Sequence, residues 1–500
     1  MKINALRLNE TDNVLIALLP LKSGDTSSPG INVAEDIGAG HKFAARDIVK
    51  GEQIVKYGQV IGVAIADIAT GTLVHSHNLA MGDARLGADK AAAPVLPRPE
   101  RDTFMGYRRK NGRVGTRNFI GIVSTVNCSA TVCRAIADAA TRTLLPKYPG
   151  IDGFAPIVHD QGCGMVNHGE GYDILVRTLA GYRDHPNFGG VLLVGLGCEV
   201  NQLSAYGEKE DPDYAARYAS FNIQSAAGSS SAVRKAVEIL DGIAAVVSKD
   251  QRETCPASEL VLGMQCGGSD GFSGLSANPA LGVASDLLVA AGGTSLLSET
   301  PEIFGAEHLL IARSDAETGA RIADMIEWWK DYAEKNNATL DNNPSPGNKR
   351  GGLTTILEKS LGAVAKSGRA PVADAIGYAY PVRKPGLVYM DSPGYDPVSA
   401  TGQVASGANI IAFTTGRGSC FGAKPAPSLK LASSSSLFAR MPEDMDIDCG
   451  TVITGQQTHE ELGLQIYNTI LDTASGAKTK SEEFGYGDNE FVPWKIGAVL

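Results

Sequence analysis

The feature that most constrains the fold is a repeated succession of an apolar strand and a helical segment, which begins after residue 102. "NFIGIVSTV" precedes "SATVCRAIADAATRTLL", "GFAPIVH" precedes "GYDILVRTLAGYRD", and "GGVLLVGLG" precedes another helical stretch. Strands that are apolar along nearly their whole length are typical of parallel sheets covered by helices. The sequence therefore predicts an α/β fold with mostly parallel sheets.

The same succession recurs nearer the C-terminus. Apolar strands are predicted at "LVLGMQC", "GTSLLSE", "GLVYMDS", "NIIAFTT" and "SLKLAS", and "GARIADMIEWWKDYAEK" has the period of an amphipathic helix. A charged, proline-containing segment, residues 249–259, separates the two series. We therefore expect two α/β units, residues 102–253 and residues 254–500.

The N-terminal part has a different pattern. It contains short strand-like runs separated by glycine or charged turns, and no stretch of useful length has the period of a helix. Residues 81–101 are rich in alanine, glycine and proline and carry no apolar face. The sequence thus predicts a small all-β module over residues 1–80 and a linker over residues 81–101.

The composition limits the functional classes. A chain of 500 residues exceeds what one core usually supports, which agrees with several domains. The formal net charge is −10 and no cluster of lysine and arginine is present, so binding to nucleic acid or to an anionic membrane is not expected. No apolar run reaches the roughly 18 residues that a transmembrane helix needs, and eight cysteines are too few for a disulfide-stabilised secreted fold. We expect a cytoplasmic protein with free thiols.

Half of the cysteines directly follow predicted strands. These are Cys128, Cys163, Cys198 and Cys266. One cysteine at such a position is usually a small apolar residue in a tight turn. Four are better explained by ligand binding, because sites in parallel sheets lie beyond the carboxyl ends of the strands.

Thiolates suit iron, zinc or an iron–sulfur cluster. The wide spacing of the four cysteines excludes a CxxC pattern, so the kind of metal site stays open. Oxygen and nitrogen donors stand nearby in the sequence. The predicted ligands are the four cysteines with Glu199 and Asp270, and further donors are available in Glu299 and His159.

Two glycine-rich turns fit the recognition of a small anion. "NPSPGNKRGG" carries Asn348, Lys349 and Arg350, and "FTTGRGSCFG" holds Arg417 between two glycines. Paired or glycine-flanked cations of this kind can bind carboxylates, although each turn alone is more often an ordinary loop. We predict that Lys349, Arg417, Asn348 and Ser269 contact the substrate. No GxGxxG sequence opens a helix, so a dinucleotide fingerprint is absent from the sequence.

The β module contributes further polar groups. "GAGHKFAARDI" and "KYGQVIG" place His41, Lys42 and Tyr57 on a glycine-punctuated scaffold. In "VHSHN", His75 and His77 alternate along a strand and so share one face. Exposed histidines without a ligand are the plainer interpretation of this pair.

Taken together, the motifs resemble a known family. The first module contains "GHKFA", "KYGQVIG" and "HSHN", and the later parts contain "NGRVGTRN", "GLGCE", "QCGGSDGFSGLSANPALG", "PEIFGAE", "NPSPGNKRGG" and "FTTGRG". These motifs are similar to those of the altronate/galactarate dehydratases, which are sugar-acid hydro-lyases. The resemblance covers essentially the whole chain in the same order. It implies an N-terminal SAF-type β-clip domain, a linker, a middle α/β domain and a Rossmann-like C-terminal α/β domain.

The resemblance also implies a cofactor, an assembly and a substrate. Ferrous iron, reducing conditions and a homodimer are expected, with the middle domain as the dimerisation surface. "VHSHN" and "PEIFGAE" look more like altronate dehydratases, whereas "RETCPASELVLGMQCGGSD" and "EKSLGAVAKSG" look more like galactarate dehydratases. D-altronate is therefore the favoured substrate, with D-galactarate or a related sugar acid as the alternative.

Dehydration of a 2,3-dihydroxy acid removes the α-proton and expels the C3 hydroxyl, which leaves a 2-keto-3-deoxy acid. We expect Fe(II) to act as a Lewis acid in this reaction. His41 is the first candidate for the acid–base work and His159 the second, because histidine titrates near neutral pH. Lys42 and Tyr57 are expected to hold carboxylate and hydroxyl groups beside them.

Three rival functions remain open from the sequence. Rossmann-like alternation is compatible with a nicotinamide-dependent oxidoreductase, although the missing fingerprint opposes it. A non-catalytic sugar-acid binding protein would have the same architecture. A sulfo-lyase acting on sulfolactate belongs to the wider family.

Overall fold

The computed structural model describes residues 3–82, 94–207 and 212–497. Residues 83–93 of the predicted linker lie outside this described part. Within it, no helix is both long enough and apolar enough to cross a membrane.

The N-terminal unit consists of short strands in two small antiparallel sheets, ordered β1–β2–β3–β6 and β4–β5–β7. Buried apolar side chains, among them Leu15, Ile37 and Phe43, fill its core. The strands are β1 (Ala5–Leu6), β2 (Val14–Ala17), β3 (Lys42–Ala44), β4 (Gln53–Lys56), β5 (Gln59–Ala64), β6 (Leu73–Val74) and β7 (Leu79–Ala80).

The middle unit is built on a parallel sheet of order β11–β10–β12–β13, with a small antiparallel sheet, β14–β8–β9, at its border with the C-terminal unit. The strands are β8 (Thr103–Arg108), β9 (Val114–Gly115), β10 (Phe119–Ser124), β11 (Gly153–Ile157), β12 (Phe188–Gly195), β13 (Tyr218–Asn222) and β14 (Glu253–Pro256). The helices are α1 (Asn127–Thr143), α2 (Glu170–Arg183), α3 (Pro212–Arg217) and α4 (Ser229–Val247).

The C-terminal unit contains a seven-stranded parallel sheet of order β17–β18–β16–β15–β19–β20–β21. Its strands are β15 (Val261–Cys266), β16 (Thr294–Leu297), β17 (Val372–Ile376), β18 (Gly386–Met390), β19 (Ile410–Thr415), β20 (Ser428–Ala432) and β21 (Ile447–Asp448). Its helices are α5 (Ala277–Ala290), α6 (His308–Ile311), α7 (Ala316–Lys335), α8 (Pro346–Arg350), α9 (Ile356–Ala365), α10 (Asp396–Ser406), α11 (Ser435–Arg440), α12 (Gly450–Ile453), α13 (His459–Ala474) and α14 (Lys480–Glu483).

These sheets confirm the predicted α/β fold with mostly parallel strands. The predicted strand and helix segments of both α/β series coincide with β10, β11, β12, β15, β16, β18, β19, β20 and α7. β13 and β17 were not predicted, because both are edge strands with half-exposed residues and lack a continuous apolar run.

The order of the C-terminal sheet fixes where a ligand can bind. From β15 the chain continues into β16 on one side, whereas β19 pairs with the other side of β15. Such a reversal of strand order leaves a crevice outside the carboxyl ends of the strands. The expected site is therefore beyond Cys266 at the end of β15 and the turn after β16.

The N-terminal unit is fixed to the C-terminal unit by a buried ion triad. The Nζ atoms of Lys42 and Lys56 each lie 2.8 Å from a different carboxylate oxygen of Glu358. All three side chains are about 1% exposed. Burial opposes ionisation of Glu358, but the two ammonium groups outweigh this effect and hold its pKa well below the usual range.

Replacing Glu358 by glutamine is expected to loosen this contact, because two buried ammonium groups lose their counter-charge. Breaking a buried ion pair from one side costs about 3–5 kcal/mol. We expect the lowest denaturant transition to move to lower concentration and amide exchange in residues 3–82 to accelerate. The matched control is Glu317→Gln, since Glu317 forms a pair with Arg321 and its side chain is 83% exposed. Equal effects of the two variants would contradict the structural role of the triad.

Candidate active site

Three potential metal ligands meet beyond the carboxyl ends of β15 and β16. Cys266 ends β15, and Glu299 and Glu302 lie in the turn that follows β16. Their donor atoms are within 4.8 Å of one another and all three residues are buried. Among the described residues, no other group of three or more cysteine, histidine or carboxylate donors is this close.

Two buried lysines complete this arrangement. Lys366 Nζ lies 2.8 Å from Cys266 Sγ, and Lys359 forms an ion pair with Glu302. Lys359 lies in α9 and Lys366 is the C-cap residue of this helix, seven positions later, so the two lysines lie on the same face. Asn343 bridges Glu302 and Lys359 with hydrogen bonds of 2.8 Å to each.

Both the backbone conformation of Glu299 and the surroundings of its carboxylate are energetically unfavourable. Its φ of 78° lies in the left-handed region, and both carboxylate oxygens are buried without a hydrogen-bond partner among the described residues. Burial, reinforced by Glu302, raises its pKa well above the usual range. A non-glycine residue in this backbone region costs about 1–3 kcal/mol, and such strain is concentrated at functional sites. Glu299 is therefore the strongest indication that a cation or a substrate group belongs here.

Asp396 adds a third carboxyl group at the start of α10. Burial and the neighbouring Glu302 raise its pKa to about 7. A side chain at Gly267 would place its Cβ 2.2 Å from Asp396 Oδ2, so glycine is required for this approach. We call Cys266, Glu299, Glu302, Lys359, Lys366 and Asp396 the C-terminal cluster.

The loop after Cys266 connects the C-terminal cluster to the surface. The carboxylate of Asp270 accepts hydrogen bonds from the backbone N–H groups of Phe272 and Ser273 and from the hydroxyl groups of Ser273 and Ser433. Asp270, a predicted metal ligand, thus shapes this loop instead of joining the three donors. Asn348 Nδ2 donates to the carbonyl of Ser269 at 2.8 Å, so the structure brings these two predicted residues together.

Two predicted cations border the same loop. The backbone N–H of Arg417 donates to the carbonyl of Gly268 at 2.9 Å, and its side chain is exposed. Lys349 lies in α8, which packs on the loop where Gly351 meets Asp270. In the part of the chain that the structure describes, neither side chain has an ion-pair partner. Both are available to bind an anionic ligand.

Two histidines of the N-terminal unit, His41 and His75, contact the backbone of α8 beside this loop. Nε2 of His41 lies 3.3 Å from the carbonyl oxygen of Arg350, and Nε2 of His75 lies 2.9 Å from that of Lys349. The two rings stack with centroids 5.6 Å apart. Burial, and then the proximity of His75, lowers the pKa of His41. A carbonyl oxygen only accepts, so the contact with Arg350 requires the N–H on Nε2 of His41, and in the neutral ring Nδ1 then carries the lone pair.

Three other predicted residues have different surroundings. Lys42 is fully buried in the ion triad with Glu358. The hydroxyl of Tyr57 approaches Gly274, at the far end of the loop, where it lines a cavity of about 700 Å³. His159 is buried in the middle unit, donates through Nε2 to the carbonyl of Ser124 and accepts the N–H of Gln161 at Nδ1. Burial lowers the pKa of His159 to about 4.

The four predicted cysteine ligands occupy two places. Cys266 belongs to the C-terminal sheet, whereas Cys128, Cys163 and Cys198 follow strands of the middle sheet and are exposed. Glu199 lies beside Cys198, but its carboxylate accepts hydrogen bonds from Thr125 and from two backbone N–H groups of its own loop. Sequence position alone did not reveal this division, because both sheets end their strands with cysteines.

Four residues of the C-terminal cluster were not predicted from the sequence, namely Glu302, Lys359, Lys366 and Asp396. The spacing of seven between the lysines of "EKSLGAVAK" was a usable signal, since it repeats two helical turns. Glu302 stands in the quoted motif "PEIFGAE", but no pattern identified it as a ligand. Asp396 has no sequence signal, because α10 brings it to the C-terminal cluster from a distant part of the chain.

Three family models match consecutive parts of the chain. Residues 3–82 match the altronate/galactarate dehydratase SAF domain. Residues 106–248 match the D-galactarate dehydratase/altronate hydrolase second domain, and residues 257–499 match the D-galactarate/altronate dehydratase C-terminal domain. Together they account for each of the three units.

Curated relatives cover nearly the whole chain. The galactarate dehydratase (L-threo-forming) of Escherichia coli K12 is 40% identical over 96% of this chain and 94% of its own. The altronate dehydratase of Bacillus subtilis 168 is 36% identical over 99% of both chains. The (2R)-sulfolactate sulfo-lyase subunit beta of Chromohalobacter salexigens is 32% identical over 78% of this chain and 96% of its own. On these matches the chain belongs to the D-galactarate/altronate dehydratase family and is an enzyme of the hydro-lyase class.

Proposed function

We propose that the protein dehydrates a sugar acid, D-altronate in the first place, to a 2-keto-3-deoxy acid with the assistance of Fe(II). The observation that supports this most is the buried, unpartnered carboxylate of Glu299 beside Cys266 and Glu302. D-galactarate is the second candidate, because the relative of that activity is 40% identical to the chain whereas the altronate dehydratases are 35–36% identical.

The donor set fits a ferrous ion. Cys266 offers a sulfur ligand, and Glu299 and Glu302 offer two carboxylates, a mixture that suits iron better than calcium or magnesium. Burial raises the pKa of the Cys266 thiol to about 12, so metal binding there would release a proton. When bound, the ion would supply Lewis-acid polarisation of a carboxylate or hydroxyl oxygen of the substrate.

Other residues bind the substrate carboxylate and transfer protons. Lys349 and Arg417 bind the substrate carboxylate beside the loop 267–271, since both cations lack an ion-pair partner within the described residues. Nδ1 of His41 takes the α-proton, because this nitrogen is unprotonated while Nε2 donates to Arg350. Departure of the C3 hydroxyl as water requires a proton, and Asp396, Lys359 and Lys366 are the proton-bearing groups around the ligands.

A panel of aldonates and aldarates tests this function. The full chain is assayed anaerobically with Fe(II) and thiol for a 2-keto-3-deoxy product, and sulfolactate is included for sulfite release. Turnover of D-altronate above all others supports the first proposal, and a preference for D-galactarate selects the second. Sulfite release or the absence of any keto product would overturn both.

The pH dependence of kcat/KM should reflect the protonation of His41. A base must be neutral to accept a proton, so kcat/KM should fall as the pH decreases through the pKa of His41, which burial and His75 place below 6.5. Replacing His75 by asparagine removes the neighbouring like charge and should move this acidic limb to higher pH. The measurement is a pH profile of both proteins at saturating iron. An acidic limb that stays at the same pH in the variant would contradict the assignment.

A further inference from the structure

The middle unit has three cysteines at one edge of its parallel sheet, apart from the C-terminal cluster. Cys128 is the second residue of α1 after β10, Cys163 follows β11, and Cys198 follows β12. β11 and β12 flank β10 on either side, so the three cysteines follow three adjacent strands. All three are exposed, and none forms a disulfide.

Hydrogen bonds hold the three cysteine-bearing loops against one another. The N–H of Asn127 donates to the carbonyl of Gln161 at 2.9 Å. The carbonyl of Gly162 accepts from the N–H groups of Val200 and Asn201 at 3.1 and 3.2 Å. Each cysteine stands within two residues of one of these bonds, so the three thiols are carried by one connected surface.

Glycines and hydrogen-bonded polar groups surround the three thiols. Glycines with positive φ stand next to Cys163 and Cys198, namely Gly162, Gly164 and Gly197. The first turn of α1 carries Cys128 and has no side-chain cap, and the N–H groups of Asn127 and Ser129 in this turn donate to the carbonyls of Gln161 and Val126. Glu199 and His159 are engaged in other hydrogen bonds, and Gln224 Nε2 donates to Cys198 Sγ at 3.2 Å.

The placement of the three sulfur atoms argues against a single metal ion bound by all of them. A single iron or zinc ion bound at about 2.3 Å by three thiolates would bring the sulfur atoms within about 4 Å of one another. The three sulfur atoms are not mutually within 4.8 Å, the distance that the Cys266 group satisfies. More widely spaced cysteines suit a polynuclear cluster, in which different irons take different thiolates.

We propose that Cys128, Cys163 and Cys198 bind an iron–sulfur cluster, separate from the ion at Cys266. Three thiolates would ligate three irons of a four-iron cluster, so the fourth iron would have no cysteine ligand from this set. The chain would then hold two iron sites of different chemistry, one with sulfide and one without.

The experiment uses the full chain, purified and reconstituted anaerobically with ferrous iron and sulfide. Iron, acid-labile sulfide and visible absorption are measured on the wild type and on Cys128→Ser, Cys163→Ser, Cys198→Ser and the triple variant. The matched control is Cys420→Ser, since Cys420 is also exposed and free but lies in the C-terminal unit. We expect labile sulfide and cluster absorption in the wild type and the control, their loss in the triple variant and a marked decrease in each single variant.

Glu299→Gln distinguishes this cluster from the iron of the proposed function. It should remove the iron that is not accompanied by sulfide and leave the labile sulfide unchanged. Bound iron without labile sulfide in the wild type, or full sulfide in a triple variant with wild-type circular dichroism, would overturn the proposal. Since no substrate is needed, the result is independent of whether the chain dehydrates a sugar acid.

Discussion

Replacing Glu299 by glutamine is expected to remove the sulfide-free iron and to lower kcat/KM by about 10²–10³-fold. A metal ion contributes several kcal/mol to transition-state charge stabilisation, and each 1.36 kcal/mol corresponds to a factor of ten in rate. The amide of glutamine keeps the shape of the side chain but cannot supply a charged ligand. The measurements are iron content after anaerobic loading and steady-state kinetics with the preferred sugar acid.

The same substitution should leave the iron-free fold intact. Burial and the neighbouring Glu302 raise the pKa of Glu299 well above its usual range and so oppose its ionisation, and the glutamine amide is neutral as well. We expect the thermal unfolding of the iron-free protein to change by less than about 1 kcal/mol, within the range of minor substitutions. Glu317→Gln again serves as the control for iron and activity. Unchanged iron binding and turnover in Glu299→Gln would exclude Glu299 as a ligand.

His41→Ala should lower kcat by about 10²–10⁴-fold, the usual contribution of a positioned general base. Iron content should not change, because His41 belongs to the N-terminal unit and is not one of the clustered donors. KM should change less than kcat, since Lys349 and Arg417, the proposed ligands of the substrate carboxylate, are unchanged in this variant. Steady-state kinetics combined with iron analysis separates these effects.

His77→Ala is the matched control for His41→Ala. His77 lies in the same unit and two residues from His75, but it is exposed. Its replacement should leave kcat within a factor of two or so of the wild type, as for most surface substitutions. A small effect of His41→Ala, or an equal effect of both variants, would remove His41 from the mechanism.

The positions of the cysteines along the strands could be predicted from the sequence, but their grouping could not. Their position after apolar strands predicted that they lie at carboxyl edges, and Cys128, Cys163, Cys198 and Cys266 all do. Whether they meet depends on which strands share a sheet, and pairing between distant strands leaves no local pattern in the chain. Only the structure shows three cysteines on the middle sheet and one on the C-terminal sheet.

The polar residues of the N-terminal unit show a second limit. His41 and Lys42 are adjacent in the sequence and were assigned related roles. In the structure the ring of His41 reaches the backbone of α8, while Lys42 is buried with Glu358. Side chains of neighbouring residues along a strand project to opposite faces. One of them can therefore reach the surface while the other is buried in the contact between the two units.

The sequence by itself determined the α/β class, the parallel sheets and the edge at which a site must lie, because apolar runs and strand–helix alternation are local properties of the chain. The tertiary structure alone decided which side chains share that edge. Three segments spread over about a hundred residues bring Glu299, Glu302, Lys359, Lys366 and Asp396 to Cys266, and only the packing of the folded sheet places their charges together.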